Sequence, residues 1–163
     1  MRIFLDANIL FSACKSHGAI RDLIDLISPK HECWVDGFVV EEARRNLSAK
    51  APESAAALDK LLTRLHLAPQ GRDPALEADL PLPEKDRPVL AAAIRLGCGA
   101  LVTGDKTHFG PHFGKAIRGV VIHSPRSLAQ ALRVVGHGHG PGVSEPPPVK
   151  RYSPLAKRRG SQT

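Results

Sequence analysis

Four carboxylates occupy positions from which they could act together chemically. Two follow apolar runs, Asp6 in "MRIFLDANIL" and Asp105 in "ALVTGDKTHF". Glu42 lies in "FVVEEARRNL", and Asp86 opens "DRPVLAAA". Converging carboxylates repel one another, so their coexistence requires a cation that neutralises them. Their hard oxygen atoms favour Mg²⁺ or Mn²⁺ as that cation.

Each carboxylate also has a purely structural interpretation, because Asp is a favoured helix cap and turn former. Asp86 could simply cap its helix, and Asp105 could simply form a turn. Glu42 could pair with Arg45 on a solvated helix face, where Glu41 is equally well placed. The signal is therefore the arrangement of the four as a set and not any one of them.

Hydrophobic periodicity predicts the elements that must position these residues. Apolar residues at helical spacing predict helices over 20–27, 58–65, 86–97 and 128–135, and a weaker one over 40–47. Apolar runs predict strands over 2–5, 33–35, 100–103 and 120–122, with "LHLAP" as a further candidate. Strands separated by helices imply crossover connections, so we predict a three-layer α/β/α sandwich with a mostly parallel central sheet. Ligands of such sheets bind outside the carboxyl ends of the strands.

Length and composition limit the class of protein. The 163 residues suit one compact domain. No apolar run approaches the ~20 residues of a membrane helix, and the N-terminus lacks the blocks of a signal peptide, so we expect a cytoplasmic protein without a membrane partner. The cysteines are three, far apart and without a C-x-x-C pair, which argues against disulfides or structural zinc and predicts reduced core residues.

The net charge of +7 favours a polyanionic partner. From residue 137 onward five Lys and Arg residues oppose one Glu, so 5 − 1 = +4 of this charge lies in that segment. The segment is rich in Gly and Pro and poor in large apolar residues, and it cannot bury enough surface to offset its ordering entropy. We therefore predict a domain over 1–136 and a disordered basic tail over 137–163.

Read in order, "LDANIL", "FVVEEARRNL" and "DRPVLAAAIRLGCGALVTGDKTHF" resemble the PIN-domain nucleases, the family that includes the toxin RNases of bacterial toxin–antitoxin pairs. The resemblance covers residues 1–135. It implies a Mg²⁺- or Mn²⁺-dependent endoribonuclease that leaves 5′-phosphate and 3′-hydroxyl ends. The implied acidic site consists of Asp6, Glu42, Asp86 and Asp105. The metal ligands among them would be Asp6, Asp86 and Asp105, with Glu42 completing the site or positioning the attacking water.

Further residues have implied roles around this site. Asn8 and Thr103 would orient the metal ligands. The candidate contacts to the RNA backbone are Arg44, Arg45, Lys106 and His108, although ordinary surface charge is the simpler interpretation of any single one. As a toxin, the protein would bind a small antitoxin encoded next to it. The oligomeric state stays open, a homodimer included.

Three positions depart from the family pattern. Ala7 stands where Thr is frequent, Asp36 where Ser or Thr is frequent, and Thr107 where an acid is frequent. They leave open how many metals bind, and whether Asp36 joins the site or caps its helix. An aspartyl phosphatase is disfavoured, because Asn8 stands where its second acid would be needed. The alternative to a nuclease is a catalytically inactive PIN-like module that binds RNA or protein.

Overall fold

The computed structural model describes residues 1–15, 17–69, 71 and 82–136. The strands are β1 (Arg2–Leu5), β2 (Glu32–Asp36), β3 (His66–Ala68), β4 (Ala100–Val102), β5 (Ala116–Ile117) and β6 (Val120–His123). The helices are α1 (Ala7–Lys15), α2 (Ala19–Ile27), α3 (Gly37–Lys50), α4 (Ala55–Leu62), α5 (Arg87–Arg95) and α6 (Pro125–Gly136). Short 3₁₀ turns cover Pro52–Ser54, Glu84–Asp86 and Gly110–His112. The predicted tail, 137–163, lies outside the described residues.

The strands form one sheet in the order β3-β2-β1-β4-β6-β5. Every neighbouring pair is parallel except β5 with β6. Helices α1 and α2 connect β1 to β2, α3 and α4 connect β2 to β3, and α5 precedes β4. The predicted α/β fold with a mostly parallel sheet is therefore confirmed.

The strand order reverses between β1 and β4. The chain leaves β1 for β2 and β3 on one side and returns to β4 on the other side. Loops that leave two such strands in opposite directions open a crevice at their carboxyl ends, where open α/β sheets bind ligands. Asp6 follows β1, and Thr103 follows β4, so both residues lie at the edge of this crevice.

Helix α1 is missing from the sequence-based prediction. Its apolar residues Ile9, Leu10, Ala13 and Cys14 have helical spacing and are buried. They continue the apolar run of β1 without an intervening Gly or Pro, which hid the boundary. The chain turns at Asp6, whose carbonyl oxygen accepts hydrogen bonds from the backbone of Ile9 and Leu10 at 3.0 and 3.3 Å.

The five predicted helices are present with shifted ends. Helix α3, predicted as weak, is the longest at 14 residues. Helix α4 begins and ends about one turn earlier than its apolar pattern indicated. Gly97 follows the end of α5 with a φ of +64°, a conformation that favours glycine. The two-residue strand β5 was not predicted.

The core is built from the buried faces of the sheet and helices. Helix α1 packs against α2, α3 and α4. Cys14, Cys33 and Cys98 are buried and unpaired, as predicted for core residues. None of the helices in the described part of the chain is both long and apolar enough to span a bilayer.

Candidate active site

Asp6 lies directly after β1 and is only 6% exposed. Its Oδ1 accepts a hydrogen bond from the backbone nitrogen of Ala7 at 2.7 Å. Its Oδ2 accepts from Asn8 Nδ2 at 3.1 Å and from Thr103 Oγ1 at 2.7 Å. A carboxylate has about four acceptor sites, so these three bonds fix its orientation and leave it room for one more partner.

Asn8 and Thr103 tie the two loops at the crevice together. Asn8 Oδ1 accepts a hydrogen bond from the backbone nitrogen of Gly104 at 2.8 Å, and Asn8 Nδ2 donates to Thr103 Oγ1 at 3.2 Å. The same Thr103 oxygen accepts from the backbone nitrogen of Asp105 at 3.1 Å. The loop after β1 is thereby held against the loop after β4, and both carry carboxylates.

The environment of Asp6 penalises its charge. Burial raises its pKa to about 6, although the hydrogen bonds from Thr103 and Ala7 act in the opposite direction. The negative charges of Glu42 and Asp86 raise the pKa further. Asp6 is therefore a buried carboxylate in an acidic neighbourhood, a combination characteristic of functional sites.

Asp105 and Asp86 meet around His108. Nδ1 of His108 lies 2.7 Å from Asp105 Oδ2 and 3.2 Å from Asp86 Oδ2. One ligand atom from each of these three residues lies within 4.8 Å of the other two. Burial raises the pKa of Asp105, but its hydrogen bonds with His108 and the backbone of Thr107 outweigh that and hold the pKa below its usual value.

Asp86 does not cap α5 through its side chain. It precedes the first helical residue, yet its carboxylate accepts no capping hydrogen bond. Its Oδ2 is buried without a hydrogen-bond partner among the described residues. Burial raises the pKa of Asp86, and the charges of His108 and Lys85 act against that rise. A buried carboxylate oxygen with an unused lone pair is costly unless it serves a ligand.

Glu42 faces the same cleft from α3. The cleft has a volume of about 250 Å³ and is lined by all four candidate carboxylates, so the structure brings together Asp6, Glu42, Asp86 and Asp105. Its other lining residues are Ala7, Asn8, Phe38, Arg45, Asn46, Lys85 and Val89. Glu41 is exposed and is not among them. The geometry therefore selects Glu42 from the adjacent pair of glutamates.

The sequence did not assign six lining residues to the acidic site, namely Ala7, Phe38, Arg45, Asn46, Lys85 and Val89. Phe38, Arg45 and Asn46 are four, three and four residues from Glu42, so helical periodicity alone would have placed them on its face. Lys85 precedes Asp86 in the 3₁₀ turn. Arg45 had been singled out only as one of several candidate contacts to RNA.

The remaining residues singled out from the sequence lie in different surroundings. Arg44 pairs with Asp59 on α4 and does not line the cleft. Lys106 is exposed and is also not a lining residue. Asp36 caps α3, because its Oδ1 accepts a hydrogen bond from the backbone nitrogen of Val39 at 3.1 Å. His108 is also not a lining residue, but its ring nitrogen contacts two of the lining carboxylates, those of Asp86 and Asp105.

The described elements form a mostly parallel α/β fold with an acidic cleft where the strand order reverses. Among solved structures, the chain is similar to the crystal structure of VapBC2 from Rickettsia felis bound to a DNA fragment from their promoter. The TM-score is 0.57 at 18% identity, and the match covers 76% of this chain and 98% of that one. This similarity shows the fold alone. No protein-family model and no curated protein sequence matches the chain.

Proposed function

We propose that this protein is a metal-dependent endoribonuclease of the PIN type. The observation that carries the proposal is the convergence of Asp6, Glu42, Asp86 and Asp105 on one cleft from four separate segments. Four carboxylates around so small a volume repel one another, and a divalent cation removes that repulsion. The resemblance of the sequence motifs to the PIN-domain nucleases supports the same activity, and the fold similarity to the VapBC2 structure is consistent with that resemblance.

The residues fit a divalent metal ion. Asp86 and Asp105 offer carboxylate oxygens within 4.8 Å of each other, and Asp86 Oδ2 is buried without a hydrogen-bond partner in the described part of the chain. Asp6 has capacity for one further contact beside its three hydrogen bonds. When bound, the ion would polarise a phosphodiester oxygen and lower the pKa of a water nucleophile.

The protein residues have distinct tasks in this mechanism. Asn8 and Thr103 hold the Asp6 carboxylate in one orientation, so that no reorganisation is required when substrate arrives. Glu42 lies across the cleft on α3 and orients the attacking water. Arg45 and Lys85 are the lining cations and bind the phosphates that flank the scissile bond. Arg44 pairs with Asp59 and does not line the cleft, so we propose Arg45 and not Arg44 as the phosphate contact.

We also propose that the protein is the toxin of a toxin–antitoxin pair, located in the cytoplasm. The VapBC2 structure is of a complex bound to DNA from its promoter, which supports a protein partner for this fold. The observation that tests this part is the neighbouring reading frame, which should encode a small antitoxin. Co-expression with that product should suppress the cleavage of RNA.

The nuclease is tested by cleavage of single-stranded and structured RNA with Mg²⁺ or Mn²⁺, with and without excess EDTA. Cleavage should require the ion and stop in the chelator. The adjacent glutamates of α3 give a matched pair of variants: Glu42→Gln should lower the rate by about 10²-fold or more, and Glu41→Gln should leave it unchanged. Undiminished cleavage in EDTA would contradict the proposal. RNA binding without cleavage would establish the inactive RNA-binding alternative.

A further inference from the structure

We infer that His108 is a metal ligand of this site, together with Asp86 and Asp105, and that the resulting nitrogen–oxygen donor set selects a divalent transition-metal ion over Mg²⁺. The inference rests on the proposed nuclease site and names the ion class that the site takes. The sequence had suggested His108 only as a contact to the RNA backbone.

The first support is the geometry of the three donor atoms. In an octahedral complex with metal–ligand bonds of about 2.1 Å, neighbouring ligand atoms are about 3 Å apart. His108 Nδ1 lies 2.7 Å from Asp105 Oδ2 and 3.2 Å from Asp86 Oδ2. These two separations are close to those of neighbouring ligands on one ion, and bonds to the ion would replace the hydrogen bond between His108 and Asp105. The imidazole therefore needs no large movement to join the two carboxylates as a third donor.

The second support is the way in which the backbone fixes His108. Asp105 Oδ1 accepts hydrogen bonds from the backbone nitrogens of Thr107 at 3.0 Å and His108 at 3.1 Å. The carbonyl oxygen of Asp105 accepts one from Phe109 at 3.1 Å, and the Phe109 side chain is buried in the core. The turn thus holds the imidazole beside the carboxylates.

The third support is the environment of the Asp86 carboxylate. Asp86 Oδ2 is buried and has no hydrogen-bond partner among the residues that the structure describes, although it lies 3.2 Å from the His108 ring nitrogen. That contact is not a hydrogen bond, while the same nitrogen lies 2.7 Å from Asp105 Oδ2. An ion between the three residues would give the lone pair of Asp86 Oδ2 a partner.

The donor set then determines the class of ion. Mg²⁺ prefers an octahedron of oxygen ligands and gains little from an imidazole, whereas imidazole suits first-row transition-metal ions. Thr107 supplies no carboxylate to the turn, and Asp86, Asp105 and His108 form the one such group of three among the described residues. We therefore expect affinity to increase in the order Mg²⁺, Mn²⁺, Co²⁺, which follows the general order for nitrogen-containing sites.

The test is metal binding in the absence of RNA. Calorimetry should give Mn²⁺ a dissociation constant at least about tenfold lower than that of Mg²⁺. Pulsed EPR of bound Mn²⁺ should show coupling to a directly bound nitrogen nucleus. His108→Asn should abolish that coupling and weaken Mn²⁺ binding about tenfold or more, with a much smaller effect on Mg²⁺. His108→Asp replaces the nitrogen donor with an oxygen donor, so the ratio of Mn²⁺ affinity to Mg²⁺ affinity should be smaller than in the wild type.

The matched control is His66→Asn, because His66 is an exposed histidine on β3 that stacks on Trp34 outside the cleft. This variant should retain the nitrogen coupling and both affinities. Nitrogen coupling that persists in His108→Asn, or equal Mn²⁺ affinities in wild type and His108→Asn, would overturn the inference and leave the nuclease proposal intact. Wild-type protein that binds none of the ions would overturn both.

Discussion

At the residue scale, Asp6 combines a structural and a chemical role. Its backbone carbonyl starts α1, and its side chain accepts three hydrogen bonds. Burial nevertheless raises its pKa from 3.8 to about 6. An acid whose pKa is raised by folding destabilises the folded state once it is ionised. The free-energy cost of ionising Asp6 in the folded protein is absent below about pH 4 and is fully present above about pH 6.

We therefore predict that Asp6→Asn changes metal-free stability with opposite signs at low and high pH. The raised pKa corresponds to at most about 3 kcal/mol of destabilisation above pH 6, which the neutral Asn avoids. The NH2 group of the introduced amide would face Asn8 Nδ2, which is also a donor. The hydrogen bond between the two side chains would be lost, at a cost of about 1 kcal/mol of stability. In EDTA, urea unfolding should show the variant more stable than wild type near pH 8 and less stable near pH 4. A difference independent of pH would contradict the environment described for Asp6.

A second prediction at the residue scale concerns the loss of the Thr103 hydroxyl. This residue is fully buried, donates to Asp6 Oδ2, and accepts from Asn8 and the backbone of Asp105. Thr103→Val keeps the shape, but Asp6 and Asn8 each lose one hydrogen bond and the backbone nitrogen of Asp105 loses its bond to the hydroxyl, so the substitution should cost about 1–3 kcal/mol near neutral pH. RNA cleavage should fall about tenfold or more, because Asp6 loses its orientation. Thr103→Ser keeps the hydroxyl and should keep most of the activity, which a cleavage assay can check.

A substitution at Asp105 can distinguish the role of this residue in the turn from its role as a metal ligand. Asp105→Asn retains Oδ1, which accepts from the backbone of Thr107 and His108, so the metal-free fold should persist. The loss of a charged ligand should remove most of the stabilisation by Mn²⁺. At a concentration 100 times the dissociation constant, wild-type protein should gain about 2.7 kcal/mol. Thermal melting with and without Mn²⁺ tests this, and an unchanged gain in the variant would exclude Asp105 as a ligand.

At the scale of the element, α3 presents two arginines to different surroundings. Arg45 lines the cleft, one turn from Glu42, whereas Arg44 pairs with Asp59. Arg45→Ala should weaken single-stranded RNA binding in EDTA and reduce the slope of log affinity against log salt by about 1. Arg44→Ala should leave both unchanged, and its stability effect should be below about 1 kcal/mol because the pair is 48% and 66% exposed. Equal losses of affinity would contradict the separate environments of the two arginines.

At the scale of the whole molecule, residues 137–163 are rich in Gly and Pro and poor in large apolar residues, and we predict that they add nothing to the core. Deletion of 137–163 should therefore leave the cooperative unfolding transition intact. It removes +4 of the +7 charge, so non-specific RNA binding should weaken and its salt dependence should flatten. Circular dichroism melts and binding at several salt concentrations provide the measurement. A truncated protein that unfolds would show that this segment belongs to the domain.

The sequence by itself determined the elements and the positions of single carboxylates. Apolar runs of period two and spacings of 3.6 residues are local, and they predicted five of the six helices in the described part of the chain and the strands that precede Asp6 and Asp105. Helix α1 was missed because its apolar face continues the run of β1 without a break. The local pattern also left Glu41 and Glu42 equivalent, and it left Asp36 and Asp86 as alternative caps or site residues.

Only the tertiary structure decided which of these residues meet. The sheet order places β1 beside β4, so that Thr103 reaches Asp6 across 97 residues of sequence. The rotation of α3 against the sheet brings Glu42 to the cleft, while Asp36 caps that helix and the side chain of Asp86 does not cap α5. The contact of His108 with Asp86 depends on the packing of the β4 loop against the start of α5. Such contacts join residues distant in sequence, and local periodicity carries no information about them.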